Sequence, residues 1–527
     1  MIRTGLVVLA GLVSAVTVEA AVAVSPWWWI IASLCAVLAV VGAYDLMQKR
    51  HSVLRNYPVV GHIRFLMEYI RPELQQYFVE RNFDGRPYDR SVRSIVYQRA
   101  KGTDAEEPFG TERDVYASGY EFLTPSLHPR QTAAAPPRVH IGGPDCQKPY
   151  DMALLNVSAM SFGALSPQAI LALNTGARLG GFAHDTGEGG LSDHHLLPGG
   201  DLIWEVGTGY FGCRTPEGAF SPDLFAEKAA TEQVRCVSLK LSQGAKPGIG
   251  GVLPGEKVNA EIARIRGVVQ GKTVISPPYH QVFQTPRELV QFIRRMRELA
   301  QGKPVGFKLC VGSRRQFLSV CKAMLEEGST PDFIIVDGAE GGTGAAPLEF
   351  ADHLGMPLTE GLITVHNALV GVGLRDRVRI GASGKIATGA DIVKRIIQGA
   401  DYTNAARAMM FAVGCIQSQR CHTNTCPAGV ATQDSRRARA LDVPDKSLRV
   451  ERFQRSTVSS AQQIMASMGV INPAELRPHM LMRRLGPSVI RSYQELYDWL
   501  EPGQLLAEAP AGWAADWKSA EPDSFHV

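Results

Sequence analysis

From about residue 150 the chain alternates short apolar runs with longer amphipathic stretches. The runs ALLNVSAM (153–160), GFAHDTG (181–187), VRCVSLKL (234–241), TVISP (273–277), VGFKL (305–309), DFIIVDG (332–338), VRIGAS (378–383) and DYTNAAR (401–407) read as strands. Each is short, rich in apolar or β-branched residues and bounded by Gly, Pro or Asp, the pattern of a strand buried on both faces. Between them, 166–179, 286–300, 314–327 and 388–398 carry the 3.6-residue repeat of helices. Eight strands with intervening helices predict an α/β fold, a (β/α)8 barrel of the TIM type. An open doubly wound sheet is the competing arrangement.

The N-terminus follows a different pattern. Residues 5–24 and 27–44 are two apolar runs, each near the roughly 20 residues a helix needs to cross hydrocarbon. Ser25-Pro26 breaks them, and Trp27, Trp28 and Trp29 suit a lipid–water interface. Arg3 precedes the first run, while Lys49, Arg50 and Arg55 follow the second, so both ends are expected on the cytoplasmic side of an inner membrane. The expectation is a two-helix transmembrane hairpin (residues 1–50) held in the membrane by residues 5–44, with a cytoplasmic catalytic domain. A cleavable secretory signal ending near Ala21 and Ala23 is the rival for the first run.

The remainder divides into a connecting region (51–150), the barrel (151–433) and a helical C-terminal extension (434–527). LMEYIRPELQQYFVER (66–81) has helical periodicity, APPRVHIGGPDC (135–146) is turn-rich, and VERFQRSTVSSAQQIMASMG (450–469) is again helical. With 55 basic against 51 acidic residues and no long basic run, nothing in the charge points to nucleic acid. Nine unevenly spaced cysteines in 527 residues are no disulfide framework and indicate a reducing compartment.

Candidate chemistry lies where barrel strands end. A barrel places its active site at the C-terminal edge of its strands, and this chain sets polar, Gly-rich loops there: SFGALS (161–166), TGEGG (186–190), QGAKPGIGG (243–251), DGAEGGTGAAP (337–347) and GASGKIATG (381–389). In the last, backbone N–H groups of Gly381, Ser383 and Gly384, followed by a helix N-terminus, are suited to a phosphate. Beyond it Cys415, Cys421 and Cys426 follow a C-x5-C-x4-C spacing. Three soft thiolates without a fourth ligand favour a three-iron cluster over zinc; three reduced thiols packed in a core are the alternative. No G-x-G-x-x-G dinucleotide fingerprint is convincing.

Taken in order from about 150 to 433, MSFGALS, TGEGG, QGAKPG with LPGEKV, ISPP, DGAEGGTGAAP, the 381–389 loop and CIQSQRCHTNTCPAGVATQ (415–433) resemble the FMN-binding domain of glutamate synthase. The hairpin with NYPVVGHIRFL and YFVERNFDGRP resembles a shorter, membrane-anchored branch of that family. The resemblance implies FMN and a 3Fe-4S cluster on Cys415, Cys421 and Cys426. It further implies reductive amination of 2-oxoglutarate, through 2-iminoglutarate, to L-glutamate. By motif position Lys246 and Arg266 are the substrate-binding cations, with Lys246 and Glu188 catalytic. Glu188 couples the substrate side to the flavin, and Lys308 sits beside the isoalloxazine N1–C2=O edge. Ser158, Ala159, Met160, Ser161, Gly381, Ser383, Gly384, Ala406 and Arg407 complete the expected cofactor site. His422, between two of the cysteines, is placed to hydrogen-bond a sulfur.

Three departures from the family pattern shape the expectations. No glutamine amidotransferase domain is expected ahead of the barrel, so ammonia is expected free or from a separate protein. Ile249 and Val252 stand where the family usually has Glu and Gln. The Gln position contacts substrate, which keeps open a related amine-transfer enzyme such as an N-methylglutamate synthase. NAARAMMFAVGC (404–415) replaces a glycine-rich run, and Arg407 is expected to pair with the FMN phosphate. Electrons are expected from ferredoxin or a reductase subunit. A membrane-docked flavin and iron–sulfur electron-transfer module, without amination chemistry, is the third reading.

Overall fold

The computed structural model describes residues 2–103, 106 and 108–526. Met1 and the side chain of Arg3, on which the charge reading drew, lie outside them. The chain forms two compact units, Met1–Arg90 and Ser91–Val527.

In the first unit, α1 (Ile2–Ala23) and α2 (Trp28–Met47) form an antiparallel hairpin. Small residues let the helices approach: Ser14 Oγ donates to Ala32 O at 3.0 Å, and a Cβ on Gly42 would lie 2.5 Å from Val7 Cγ2. Thr4–Ala23 and Trp28–Met47 are long and apolar enough to cross a membrane, and most of their large apolar side chains are exposed. Two further helices follow, α3 (Ser52–Asn56) and α4 (Gly61–Leu74), the latter continuing as a π-helical turn over Gln75–Val79.

The second unit is built on a closed, parallel eight-stranded barrel. Its strands are β1 (Leu155–Val157), β2 (His184–Asp185), β3 (Leu202–Val206), β4 (Val234–Lys240), β5 (Val305–Leu309), β6 (Phe333–Asp337), β7 (Arg379–Ser383) and β8 (Tyr402–Ala405). The barrel prediction therefore stands, with one strand exchanged. TVISP lies outside the barrel: Val274–Ile275 pair antiparallel with Val252–Leu253, and Ile275 is exposed. Its place is taken by LIWEV (202–206), buried at all five positions. Glu205 interrupts that run as a polar residue in sequence, yet inside the barrel it meets Lys308.

Ala183, Ile203, Cys236, Phe333, Ile335 and Tyr402 pack together in the barrel, joined by Ile141 and Met152 from the hairpin Arg138–Ile141/Tyr150–Ala153. That hairpin closes the N-terminal end with apolar side chains. Inward positions alternate along a strand, so two residues further on the lining becomes polar: Asp185, Glu205, Ser238, Asp337 and Asn404. The helices start at well-made caps, such as the reciprocal Thr285–Glu288 box opening Pro286–Leu299. The long helix Val443–Ser467 packs on Pro167–Gly180 and Gly389–Ile397. The C-terminal extension is not purely helical: Leu481–Arg484 and Ile490–Ser492 form a small antiparallel sheet with Glu121–Leu123.

Candidate active site

At the polar end of the barrel a buried charge cluster sits inside the strands. Lys308 Nζ on β5 reaches across β4 to Glu205 Oε2 at 3.1 Å. Burial alone would lower the lysine, but Glu205, Asp337 and Asp185 outweigh it and hold its proton far more tightly than usual. Asp185 is pushed well above the ordinary carboxylate range by burial and by Glu205, while Lys308 pulls the other way. The cluster is thus a fixed floor with one strongly held cation. Above it Ser158 and Ser383 join β1 to β7, their hydroxyls 3.2 Å apart. Ser238 Oγ, Gln243 Nε2 and both amide atoms of Asn404 are buried with no partner among the described residues. Buried polar atoms of this kind normally find a partner. Their chemistry, donors and acceptors together over a lysine, fits a polar heterocycle edge such as that of FMN.

The loops above this floor pack backbone to backbone. Gly187 has φ +63°, and a Cβ there would lie 2.7 Å from Ser161 N and about as close to Met160. Only glycine combines that left-handed conformation with so close an approach. The contact sets TGEGG against the 158–161 segment and aims Glu188 toward β4. Lys240 Nζ, on β4, donates to Glu188 Oε1 at 2.7 Å and to Gln243 Oε1 at 2.7 Å. Burial raises the Glu188 carboxyl, but Lys240, Arg266 and Lys246 more than offset it and leave it below its usual range. Glu188 is therefore a fixed anion within a cationic surround.

Lys246 and Arg266 face that anion. Lys246 Nζ donates to Gly250 O at 3.0 Å; burial lowers its pKa, Glu188 holds it up and Lys240 lowers it further. Arg266 ends a helix over Ala260–Arg266 that Asn259 caps and left-handed Gly267 terminates. Its Nη2 donates to Phe162 O at 2.9 Å, the guanidinium lies 5.1 Å from the Phe211 ring centre, and Nε is buried without a partner. Burial brings Arg266 down to about 10, with Glu188 opposing. One cavity is lined by Ser161, Glu188, Lys246, Val252, Lys257, Arg266, Cys421 and His422, among others. With Lys240 neutralising Glu188 and the Lys257 ammonium taken up by three carbonyls, Lys246 and Arg266 remain for a ligand, the complement of a dicarboxylate.

The cysteine loop closes the same cavity. Gln417, Gln419 and Asn424 all adopt positive φ, so the backbone winds tightly between the three free thiols. Tyr97 OH donates to Cys415 O at 2.7 Å, and Gln433 Nε2 ties the loop to Leu165 O at 2.7 Å. Burial pushes the Cys415 thiol up to about 12, with the charges of Cys421 and Cys426 adding to it, and burial and the Cys426 charge raise Cys421. A soft cationic group among them would reverse those shifts. Among the described residues, no three His, Cys, Asp or Glu side chains converge on a single-ion site. The soft donor set on a wound loop fits a cluster, in which each thiolate binds its own iron.

Two cations here escaped the sequence reading. Lys257, within LPGEKV, is almost completely buried, and its Nζ donates to Cys421 O at 2.7 Å, Ala431 O at 3.1 Å and Ala164 O at 3.2 Å. Burial lowers it to about 8, Cys421 and Cys426 opposing. Lys240 was hidden because a lysine ending a strand reads as a solvated charge. Two placements bear on the expected phosphate site. The N-terminus of Gly389–Ile397 is occupied by its own capping box: Asp391 accepts from the N–H of Ala387 and Thr388. The Arg407 guanidinium lies over Gly342, and Cys415 and Cys421 feel its charge. Of the remaining expected residues, Ala159, Met160 and Ala406 lie at the barrel mouth just beyond β1 and β8, whereas Gly381 is the middle residue of β7, paired with Ile335 and Tyr402 and packed against the Tyr402 ring.

A closed parallel barrel with a charged, loop-built mouth defines the class: a (β/α)8 enzyme with its site at the strand C-termini. The family model "Conserved region in glutamate synthase" matches residues 140–471, and the chain belongs to that family. It is 38% identical over 487 residues to the glutamate synthase large subunit-like protein YerD of Bacillus subtilis, covering 85% of this chain and 92% of the relative. It is 35% identical over 324 residues to an archaeal glutamate synthase [NADPH] of Methanocaldococcus jannaschii, covering 61% of this chain and 60% of that protein. The chain thus spans nearly all of one relative and about three fifths of the other. Among solved structures, mandelate oxidase with benzoyl-formic acid superposes with a TM-score of 0.43 at 15% identity, over 75% of this chain and 98% of that one.

Proposed function

We propose that the chain is an FMN-dependent oxidoreductase of glutamate-synthase type. In this reading it reductively aminates 2-oxoglutarate, through 2-iminoglutarate, to L-glutamate, with electrons relayed through a 3Fe-4S cluster on Cys415, Cys421 and Cys426. The observation that carries it is the single cavity in which Lys246, Arg266 and Glu188 meet Cys421 and His422. Ser158, Ala159, Met160, Ser161, Lys308, Gly381, Ser383, Gly384, Ala406 and Arg407 are the residues that would hold FMN. When bound, the flavin supplies hydride and the cluster single electrons.

The chain's own residues supply binding and proton handling. Arg266 grips one carboxylate with two N–H groups, and its stacking on Phe211 fixes the guanidinium plane. Lys246 pairs with the other end; its lowered pKa makes its proton easier to give as water leaves the carbinolamine. Glu188, kept ionised by Lys240, orients both cations. The hairpin anchors the enzyme in the membrane with the barrel on the cytosolic side. Ferredoxin or a reductase subunit supplies electrons, and ammonia arrives free or from a separate protein.

Val252 lines the cavity at the position expected to contact substrate. An apolar side chain there favours a second reading, with methylamine as the amine and an N-methylated glutamate as product. An electron-transfer module without amination chemistry sits poorly with Lys246, Arg266 and Glu188 converging on one cavity. Purified protein should show a flavin absorption spectrum together with a three-iron EPR signal. With reduced ferredoxin or viologen and 2-oxoglutarate, it should form product from ammonia or methylamine. Colourless protein, or loaded protein inert toward both amines, ends this reading.

A further inference from the structure

The helix after the hairpin carries an apolar stripe that its own unit leaves uncovered. At 100° per residue, Ile63, Leu66, Met67 and Leu74 fall on one face of α4, and Tyr77 and Phe78 follow in its π-helical continuation. All six are exposed, from 41% for Leu74 to 82% for Phe78. Arg64 and Glu68, paired at 2.9 Å, flank the stripe, and Phe65 on the far side packs edge-on against His51. A contiguous apolar face of this size is normally buried against something.

The start of α4 is pinned at a definite level. Asp45, in the last turn of α2, is fully buried. Its Oδ2 accepts from the Val59 N–H at 2.9 Å, and both carboxylate oxygens lie 3.0 Å from His62 Nε2. A Cβ on Gly42 would lie 3.3 Å from Val59 Cγ2, so the turn before α4 is packed against α2 as well. Val59 holds positive φ to make this return. The first turn of α4 therefore sits beside the turn where α2 ends its apolar run, with Lys49, Arg50 and Arg55 in the connection.

We propose that residues 61–79 form an interfacial helix, its apolar stripe seated in the headgroup and acyl boundary of an anionic bilayer. The proposal rests on the reading of α1 and α2 as membrane spans. Continuity with the exposed apolar surface of the hairpin selects lipid as the occupant. The Asp45 contacts set the depth, and the flanking cations favour acidic lipid. The carboxylate at the end of a span is thereby satisfied by protein groups instead of facing hydrocarbon.

The test uses the full chain in vesicles of phosphatidylcholine and phosphatidylglycerol at three to one. A benzoylphenylalanine crosslinker is placed singly at Leu34 in α2, at Leu66, at Phe78 or at Glu68, and adducts are identified by mass spectrometry. Lipid adducts at Leu34, Leu66 and Phe78, several-fold above Glu68, support the proposal. Lipid adducts at Leu34 with peptide adducts at Leu66 and Phe78 overturn it, assigning the stripe to a second copy or another protein while the spans stand. An absence of lipid adducts at Leu34 removes the spanning reading, and the interfacial helix falls with it.

Discussion

Replacing Lys257 by Met isolates what holds the cysteine loop to the barrel. The side chains have similar length, so the change deletes the ammonium while filling the space. Three buried carbonyls, Ala164 O, Cys421 O and Ala431 O, lose their donor at once. Hydrogen bonds to a charged group contribute about 1.5–3 kcal/mol each, or roughly 5–9 kcal/mol in all. Against this, burial lowers the lysine from 10.5 to about 8, a cost of about 3 kcal/mol that the variant no longer bears. The net loss is about 2–6 kcal/mol, local to the contacts between residues 164, 421 and 431. Amide hydrogen exchange over 415–433 reads it directly, since local opening sets the exchange rate there. The expected acceleration is from about 30-fold to about 20,000-fold, with the strands β4 to β6 unchanged. Iron and acid-labile sulfide per chain should fall in parallel. Unchanged exchange in 415–433 would refute the idea that Lys257 locks the loop.

Three further outcomes follow from the same geometry. Arg266→Lys should raise the KM for 2-oxoglutarate about 10- to 100-fold, because a point charge replaces a two-pronged grip worth about 1.5–3 kcal/mol; steady-state kinetics with kcat less affected is the expected signature. His280 is buried, its ring nitrogens 3.1 Å from Tyr210 OH and 2.8 Å from Lys240 O, and burial lowers it to about 4. A depressed folded pKa gives stability that is full above about 6.5 and lost as pH falls toward 4, up to about 3 kcal/mol; the pH dependence of unfolding should flatten by that amount in His280→Phe. Val252→Gln should shift kcat/KM toward ammonia over methylamine if Val252 sets amine choice, measured by competing the two amines in one assay.

Much of the barrel was readable because its strands are buried on both faces. Such strands appear as short apolar runs, and seven of the eight were found in this way. The exchange of TVISP for LIWEV shows where that signal fails. A β-branched run is equally compatible with a small exposed hairpin, whereas Glu205 disguised a barrel strand as a mixed segment. The partner that makes a buried glutamate tolerable, Lys308, lies 103 positions away in sequence, across an intervening strand. Local pattern carries no trace of such a pairing. The helices at 314–327 and 286–300 were legible for the opposite reason: their periodicity and their end signals, the Thr285–Glu288 box for one and left-handed Gly328 for the other, are local to each segment.

The site divides along the same line. Glu188, Lys246 and Cys421 sit in motifs whose residues are neighbours in sequence, and the structure brings them to one cavity. Lys240 and Lys257 work through carbonyl and carboxylate partners contributed by distant loops, so neither could be distinguished from a surface lysine in advance. Their burial changes how the mouth is understood. Lys240 fixes the charge of Glu188, and Lys257 fixes the position of Cys421, so the substrate anion site and the cysteine loop are held by separate lysines on either side of the QGAKPG loop. A rigid distance between the two is what electron delivery to a bound substrate demands. A variant that loosens only Lys257 should therefore uncouple electron arrival from substrate binding, leaving the KM for 2-oxoglutarate nearly unchanged while turnover falls.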